Sequence, residues 1–188
     1  IYEEGTPLYE MLQKHKVEEV DEESSVDFFA LMIDRLTKAG FQHYEISNFC
    51  KPDMYSQHNS SYWTGKKYLG CGPSAHSFNG NTRQWNVSSL DKYIAGIEKG
   101  IPDFEIEELD VTTRYNDFVI TSLRTMWGLS LNRLEEEFGT EFKQYCLENA
   151  QTYLDSGKLE IRDNTLFLSK EGIFISDGIM SDLLWVED

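Results

Sequence analysis

Positive charge is scarce in this 188-residue chain: 17 Lys and Arg stand against 33 Asp and Glu, a formal net charge of −16. Neutralising phosphates takes clustered Lys and Arg, so the balance argues against a general nucleic-acid binder. It argues equally against docking on anionic lipid. Long hydrophobic runs are also missing. A membrane-spanning helix needs about 18 or more apolar residues in succession, and no such stretch occurs. Cysteine is sparse and scattered. Cys50, Cys71 and Cys146 lie 21 and 75 residues apart, spacings that fit no zinc or iron–sulfur motif. An odd, dispersed set of thiols reads as reduced cysteine, which predicts a cytoplasmic protein. No secretory leader is visible, and the chain opens on Ile1 rather than Met, so the true N-terminus is expected to lie elsewhere. Hydrophobic residues still make up 40% of the chain, enough for a packed core rather than a disordered coil.

What is present divides into two parts. Gly5-Thr6-Pro7 reads as a turn into a short helix, with Thr6 as cap and Pro7 at the first helical position. After the acidic run from Glu18 to Glu23, Ser24 is a candidate cap for a stronger helix. Val26, Phe29, Ile33 and Leu36 recur on one face of it, and Gly40 stops it. "FQHYEISNF" then reads as a buried strand. A helix, a glycine stop and a strand form the end of a βαβ unit, which implies a parallel sheet. One such unit cannot cover both faces of a parallel sheet, so residues 1–90 read as the tail of a larger α/β domain. Residues 48–66 read as a polar, aromatic loop. Tyr68–Gly72 reads as a short strand, and Asn79-Gly80-Asn81 as a tight turn in a small hairpin. Leu90 to Ile97 form an amphipathic helix ended by Gly100.

The expected domain boundary lies at 104/105. Beyond it, Asp110 or Thr112 opens a helix through Trp127, Leu129 to Phe138 form a second, and residues 140–156 a third. Two short strands flank Asp163-Asn164, and Ser169 caps a last helix through Leu184. That order is the order of a winged helix. The third helix carries Glu141, Glu148 and Asp155 against Lys143 alone, so a structural or partner-docking role fits it better than DNA binding. The predicted fold class is α+β: an α/β piece followed by a helical domain.

Three stretches can carry chemistry. "YLGCGPSAHSF" (68–78) places glycines after a strand, where a bare backbone can approach a ligand and its N–H groups can hold anions. A tight structural turn accounts for it as well. It is neither a dinucleotide fingerprint, since "HSFNGN" does not open a helix, nor a P-loop, since Gly-Lys-Ser/Thr is absent. "QHNSSYW" (57–63) brings His58 close to Tyr62 and Trp63. Imidazole can ligate haem iron and flat rings can pack on a porphyrin, although an ordinary histidine reads the same way. Glu45 and Ser47 fall near a strand end, the side that faces the ligand crevice in parallel α/β folds; unremarkable strand-end polar residues are the alternative.

Taken in order, "GTPLY", "GFQHYEISNFCKP", "HNSSYW", "YLGCGPSAHSF" and "RQWNV" resemble the C-terminal half of the oxygen-independent coproporphyrinogen III oxidase-like family of radical S-adenosylmethionine (SAM) proteins. The resemblance implies that residues 1–104 form the tail of a partial TIM barrel with its following loops. It implies that 105–188 form the family's winged-helix-like C-terminal domain. Gly70, Gly72, Ala75, His76 and Glu45 then belong to a SAM crevice, with Ile1 near another SAM-contacting strand end. His58, Tyr62 and Trp63 belong to a haem site, His58 as the iron ligand, because the pattern His-Asn-x-x-Tyr-Trp is associated with the family's haem chaperone branch. That branch binds haem and delivers it to a target protein; the other decarboxylates coproporphyrinogen III in porphyrin biosynthesis. The family's 4Fe-4S cluster is held by Cys-x-x-x-Cys-x-x-Cys, which is absent here, so this chain is expected not to cleave SAM by itself and no catalytic residue is assigned. The competing expectation is a non-catalytic interaction module.

Overall fold

The computed structural model describes residues 2–186, so Ile1 and its expected SAM contact lie outside the described residues. The chain divides into two units between Phe41 and Gln42. The first holds helices α1 (Pro7–Gln13) and α2 (Glu22–Lys38). Thr6 caps α1 as expected, its hydroxyl accepting the Tyr9 amide at 3.3 Å. Ser24 is not the cap of α2. Asp21 is, three residues earlier: its carboxylate accepts the Ser24 amide at 2.8 Å and the Ser24 hydroxyl at 2.8 Å. Those hydrogen bonds hold the Asp21 pKa below the ordinary carboxylate value, because they favour the ionised form. Neither helix buries a side chain completely, and α2 leaves Val26, Phe28, Leu31 and Met32 exposed.

The second unit opens with a correction. Strand β1 (Gln42–Glu45) pairs antiparallel with β2 (Asn48–Cys50), with Gln42 opposite Cys50 and an irregularity between His43 and Glu45. The expected parallel sheet is not built from these residues, since strands joined by two residues can only turn back on each other. Helix α3 (Gln57–Trp63) follows, where a loop was expected; Ser56 caps it by accepting the Asn59 amide. Tyr68–Gly72 is no strand; Tyr68 alone bridges to Phe78. The next sheet has the order β3-β4-β5, all antiparallel, from β3 (His76–Phe78), β4 (Thr82–Asn86) and β5 (Phe104–Glu108). The turn at Asn79-Gly80-Asn81 is as expected, with Gly80 at φ +103°. Helix α4 (Leu90–Glu98) lies between β4 and β5. The expected boundary at 104/105 therefore falls inside β5, which is tied to β4 along its whole length.

The remainder carries the core. Asp110 caps α5 (Val111–Leu123), accepting the Thr113 amide at 2.7 Å; the helix ends four residues short of Trp127. Leu129 and Ser130 do not start the second helix. They form a two-residue strand β6 opposite Leu166 and Thr165, and Ser130 caps α6 (Leu131–Phe138). Helix α7 (Thr140–Asp155) leads to the hairpin of β7 (Leu159–Arg162) and β8 (Thr165–Leu168). Asp163 and Asn164 sit at its tip with φ of 49° and 57°, the left-handed pair that a two-residue hairpin turn requires. The sheet order is β6-β8-β7. Ser169 accepts the Gly172 amide at 3.0 Å and starts a 3-10 turn rather than a full helix; α8 spans only Ser176–Asp182. Tyr115, Val119, Leu134, Leu166, Ile179 and Leu183 are wholly buried between these elements. The Tyr115 hydroxyl donates to the Leu183 carbonyl at 3.0 Å, so the one polar atom of that ring is satisfied. The chain is an α+β protein, its sheets antiparallel throughout and its helices interspersed among their strands.

Candidate functional site

Helix α3 sets three of the expected ligand-binding residues on one short element. His58 and Tyr62 are four residues apart and share a face. The Tyr62 hydroxyl lies 2.9 Å from His58 Nε2, and the two rings meet edge to face at 5.0 Å. Both side chains are exposed, so an incoming ligand can reach the imidazole. Tyr62 also meets Tyr68 edge to face at 4.7 Å. Burial raises the Tyr68 pKa above the usual phenol value. Trp63 turns inward. Its indole N–H and the Ser60 hydroxyl are buried without a hydrogen-bond partner, and the Arg124 guanidinium lies 4.4 Å above the ring.

Arg124 joins this helix to Glu45. Its Nε donates to Glu45 Oε1 at 2.8 Å, and the Glu45 side chain is 1% exposed. The second Glu45 oxygen accepts the Ser47 amide at 3.1 Å and the Asn48 side-chain amide. Ser47 therefore serves Glu45 through its backbone. The carboxylate expected in an open crevice instead has both oxygens committed within the chain. Ile46 N and Met126 N donate across to the Arg124 and Tyr44 carbonyls, which fastens the β1–β2 hairpin to the end of α5.

The 68–78 loop also uses its glycines differently from the expectation. A Cβ on Gly70 would stand 2.2 Å from the His76 carbonyl oxygen, so the close approach is between two parts of the loop itself. Gly72, at φ +116°, is required by conformation, with open space around it. The Gly70 amide donates to Ser77 Oγ and the Gly72 amide to the Tyr93 hydroxyl, while Asn86 donates to both glycine carbonyls. The backbone donors that were to hold an anion are already bonded. Ala75 is half-buried and pairs through its carbonyl with Asn86 N. His76 is exposed, its ring tilted at 5.8 Å from Trp85. Among the described residues, no hydrogen bond or ring contact joins His76 to His58.

Between α3, β3–β4 and α5–α6 lies a cavity of about 320 Å³. Tyr62, Trp63 and Tyr68 form one wall, and Phe118 and Phe138 another; Arg83, Arg114 and Arg133 reach it. Arg83 pairs with Asp117 and, at 3.6 Å, with Glu107. Burial raises the Asp117 pKa, opposed by the Arg83 charge. The expectations from sequence missed these residues and Arg124. Their signal was weak but present: in so acidic a chain, every arginine is a candidate for a specific partner. Cys50 and Cys146 are buried free thiols and Cys71 an exposed one, and no group of three His, Cys, Asp or Glu among the described residues is placed to hold a metal. These residues do not fit an iron–sulfur cluster. No helix among them is long and apolar enough to cross a membrane.

Comparison with known proteins gives a consistent set of relatives. Residues 109–175 match the HemN C-terminal domain family. The chain is 31% identical over 187 residues to the heme chaperone HemW of Mycobacterium tuberculosis, covering 98% of this chain and 45% of that protein. It is 27% identical over 185 residues to the heme chaperone HemW of Bacillus subtilis, covering 98% of this chain and 49% of that one. A mitochondrial radical S-adenosyl methionine domain-containing protein of Bos taurus is 26% identical over 201 residues, covering 97% and 44% of the two chains. The chain thus spans about half the length of the curated relatives it matches. Its fold is similar to that of the coproporphyrinogen III oxidase HemN of Escherichia coli, a radical SAM enzyme, with a TM-score of 0.68 at 18% identity over 90% of this chain and 44% of that one.

Proposed function

Because the chain belongs to the coproporphyrinogen III oxidase-like family of radical SAM proteins, we propose that it binds haem on helix α3 and acts in delivering haem to an acceptor protein. The observation that carries this reading is the exposed His58 imidazole, held by Tyr62 on the same face and flanked by aromatic rings. Neutral imidazole supplies a nitrogen lone pair to iron, and Tyr62 offers flat apolar area to a macrocycle. The Tyr62 hydroxyl can instead support the second ring nitrogen once the first turns to iron, as outer-shell partners of metal-bound histidines do. The names of the relatives support the same reading, since two of them are heme chaperones.

SAM and a 4Fe-4S cluster are the cofactors that family membership brings with it for the whole protein, and we assign the cluster to no residue of this chain. The loop from Gly70 to His76 remains our candidate for one wall of the SAM crevice, with its amides fixed internally rather than aimed at the ligand. Glu45, with its carboxylate paired to Arg124, then acts by positioning that arginine rather than by touching the ligand. The order α5, β6, α6, α7, β7, β8 is that of a winged helix. The acidic α7 supports a docking role for it rather than DNA binding. The second reading, decarboxylation of coproporphyrinogen III, draws on likeness of fold to the oxidase.

Haem titration followed at the Soret band tests the proposal. Loss of an outer-shell partner alone typically weakens a metal site by about 10–100-fold. His58→Ala should therefore weaken haem binding by at least about tenfold and shift the Soret band, with circular dichroism unchanged. Unchanged affinity and spectrum would make His58 a structural residue and remove the main support for haem binding here.

A further inference from the structure

We infer that the cavity between α3 and α5–α6 takes a carboxylate arm of a flat aromatic ligand, with Arg114 as its anchor. The inference rests on the haem-binding reading for the identity of the flat ring, and on the cavity's own chemistry for the arm. Among the described residues, Arg83 is committed to Asp117 and Glu107, and Arg133 to Glu137 at 2.6 Å with its guanidinium 4.9 Å from the Phe118 ring centre. Arg114 forms no ion pair among the described residues, although its charge acts on the Asp110 carboxylate, which already accepts the Thr113 amide. Its bond to the chain is a long one, Nε to the Asp110 carbonyl at 3.4 Å, which leaves both terminal nitrogens without a partner.

With 33 acidic residues for 17 basic ones, a half-buried guanidinium has an abundance of possible partners. Arg114 faces a space whose two lining carboxylates, Asp117 and Glu137, are already paired with Arg83 and Arg133. A guanidinium presents paired N–H donors in a plane, the geometry that a carboxylate accepts bidentately. The walls suit an apolar edge, and Trp63, whose indole N–H lacks an acceptor, shares the cavity. At about 320 Å³ the space suits an arm and one edge of a large ring better than the whole ring. The rest of such a ring would extend past Tyr62 toward the exposed face of α3, where His58 stands. The net charge of −16 repels carboxylates at long range, so recognition of one here depends on a local cation.

The probe is metal-free mesoporphyrin IX, as free acid and as dimethyl ester, titrated by fluorescence against the wild-type chain, Arg114→Gln and Arg114→Lys. A charge-assisted bidentate pair is worth about 10–100-fold in affinity. The wild-type chain should bind the free acid tighter than the ester by that factor. Arg114→Gln should lose the preference, and Arg114→Lys should keep only part of it, since an ammonium is a point charge without the planar fork. Equal binding of acid and ester by the wild-type chain overturns the inference, as does an Arg114→Gln variant that keeps the preference. A wild-type chain that binds neither form also overturns it. Haem titration of His58→Ala reads the iron ligand separately. Loss of the acid preference in Arg114→Gln with no His58 effect sinks the haem reading and leaves the cavity standing; the reverse pattern sinks the cavity alone.

Discussion

Arg124 caps α5, pairs with a buried carboxylate and covers an indole ring. Replacing it with Met keeps the stem but leaves Glu45 charged, buried and held only by the Ser47 amide and Asn48. Removing one partner of a buried pair costs about 3–5 kcal/mol, and the two remaining hydrogen bonds put this case near about 3 kcal/mol. Urea unfolding of Arg124→Met should show that loss, and Trp63 should report it as a change in native tryptophan emission. The double variant with Glu45→Gln should recover much of the stability, because no uncompensated charge remains. A loss below about 1 kcal/mol for the single variant would mean that Glu45 does not depend on its partner. This pair was not legible in the sequence. Glu45 and Arg124 are separated by most of β1 through α5, and nothing local to either residue names the other.

At the scale of elements, the 68–78 loop is built against itself. Gly70→Ala puts a methyl carbon 2.2 Å from the His76 carbonyl oxygen and 2.7 Å from its carbon. Both are backbone atoms, so a side-chain shift cannot relieve the clash, and overpacking of this kind costs about 1–3 kcal/mol. Thermal unfolding of Gly70→Ala should place it at the upper end of that range, with Gly72→Ala penalised through its positive φ instead. A Gly70→Ala variant as stable as the wild type would mean that the loop rearranges freely. Elements set by local chemistry were legible. Thr6 with Pro7, Asp110, and the Asp163-Asn164 turn each state their geometry within four residues. Strand partnership was not. "FQHYEISNF" reads as one strand before a parallel crossover, yet Ile46-Ser47 turns it back on itself. Strand β5 did alternate, as Phe104-Glu105-Ile106-Glu107, but its place in the sheet depends on β4, across the whole of α4. For the candidate site, the residues on α3 were legible as a motif. The arginines around them were not, since a cavity gathers side chains from several distant elements.

At the scale of the molecule, stability should fall at alkaline pH. Burial pushes the Cys146 thiol up to about 11, from an ordinary value of 9.0, and pushes the Tyr115 phenol up as well. A folded-state pKa above the unfolded one means that the unfolded chain releases the proton first. The contribution of Cys146 is therefore complete below about 9 and lost as pH rises toward about 11. Thermal midpoints measured across that window should decline, and Cys146→Ala should decline less steeply, with Tyr115 supplying part of the remaining slope. An identical slope in the variant would mean that the thiol titrates alike in both states.

Strand β5 forms one edge of its sheet, with Phe104 and Ile106 exposed between Glu105, Glu107 and Glu108. An open edge bearing apolar side chains is a template for another chain to add a strand. Here the glutamates act as gatekeepers, since a second copy laid against β5 would bring carboxylate against carboxylate. Like charge on the two edges thus opposes that pairing at neutral pH. Acid or high salt lifts that guard, by protonation or by screening, and turns the same edge into the place where aggregation begins.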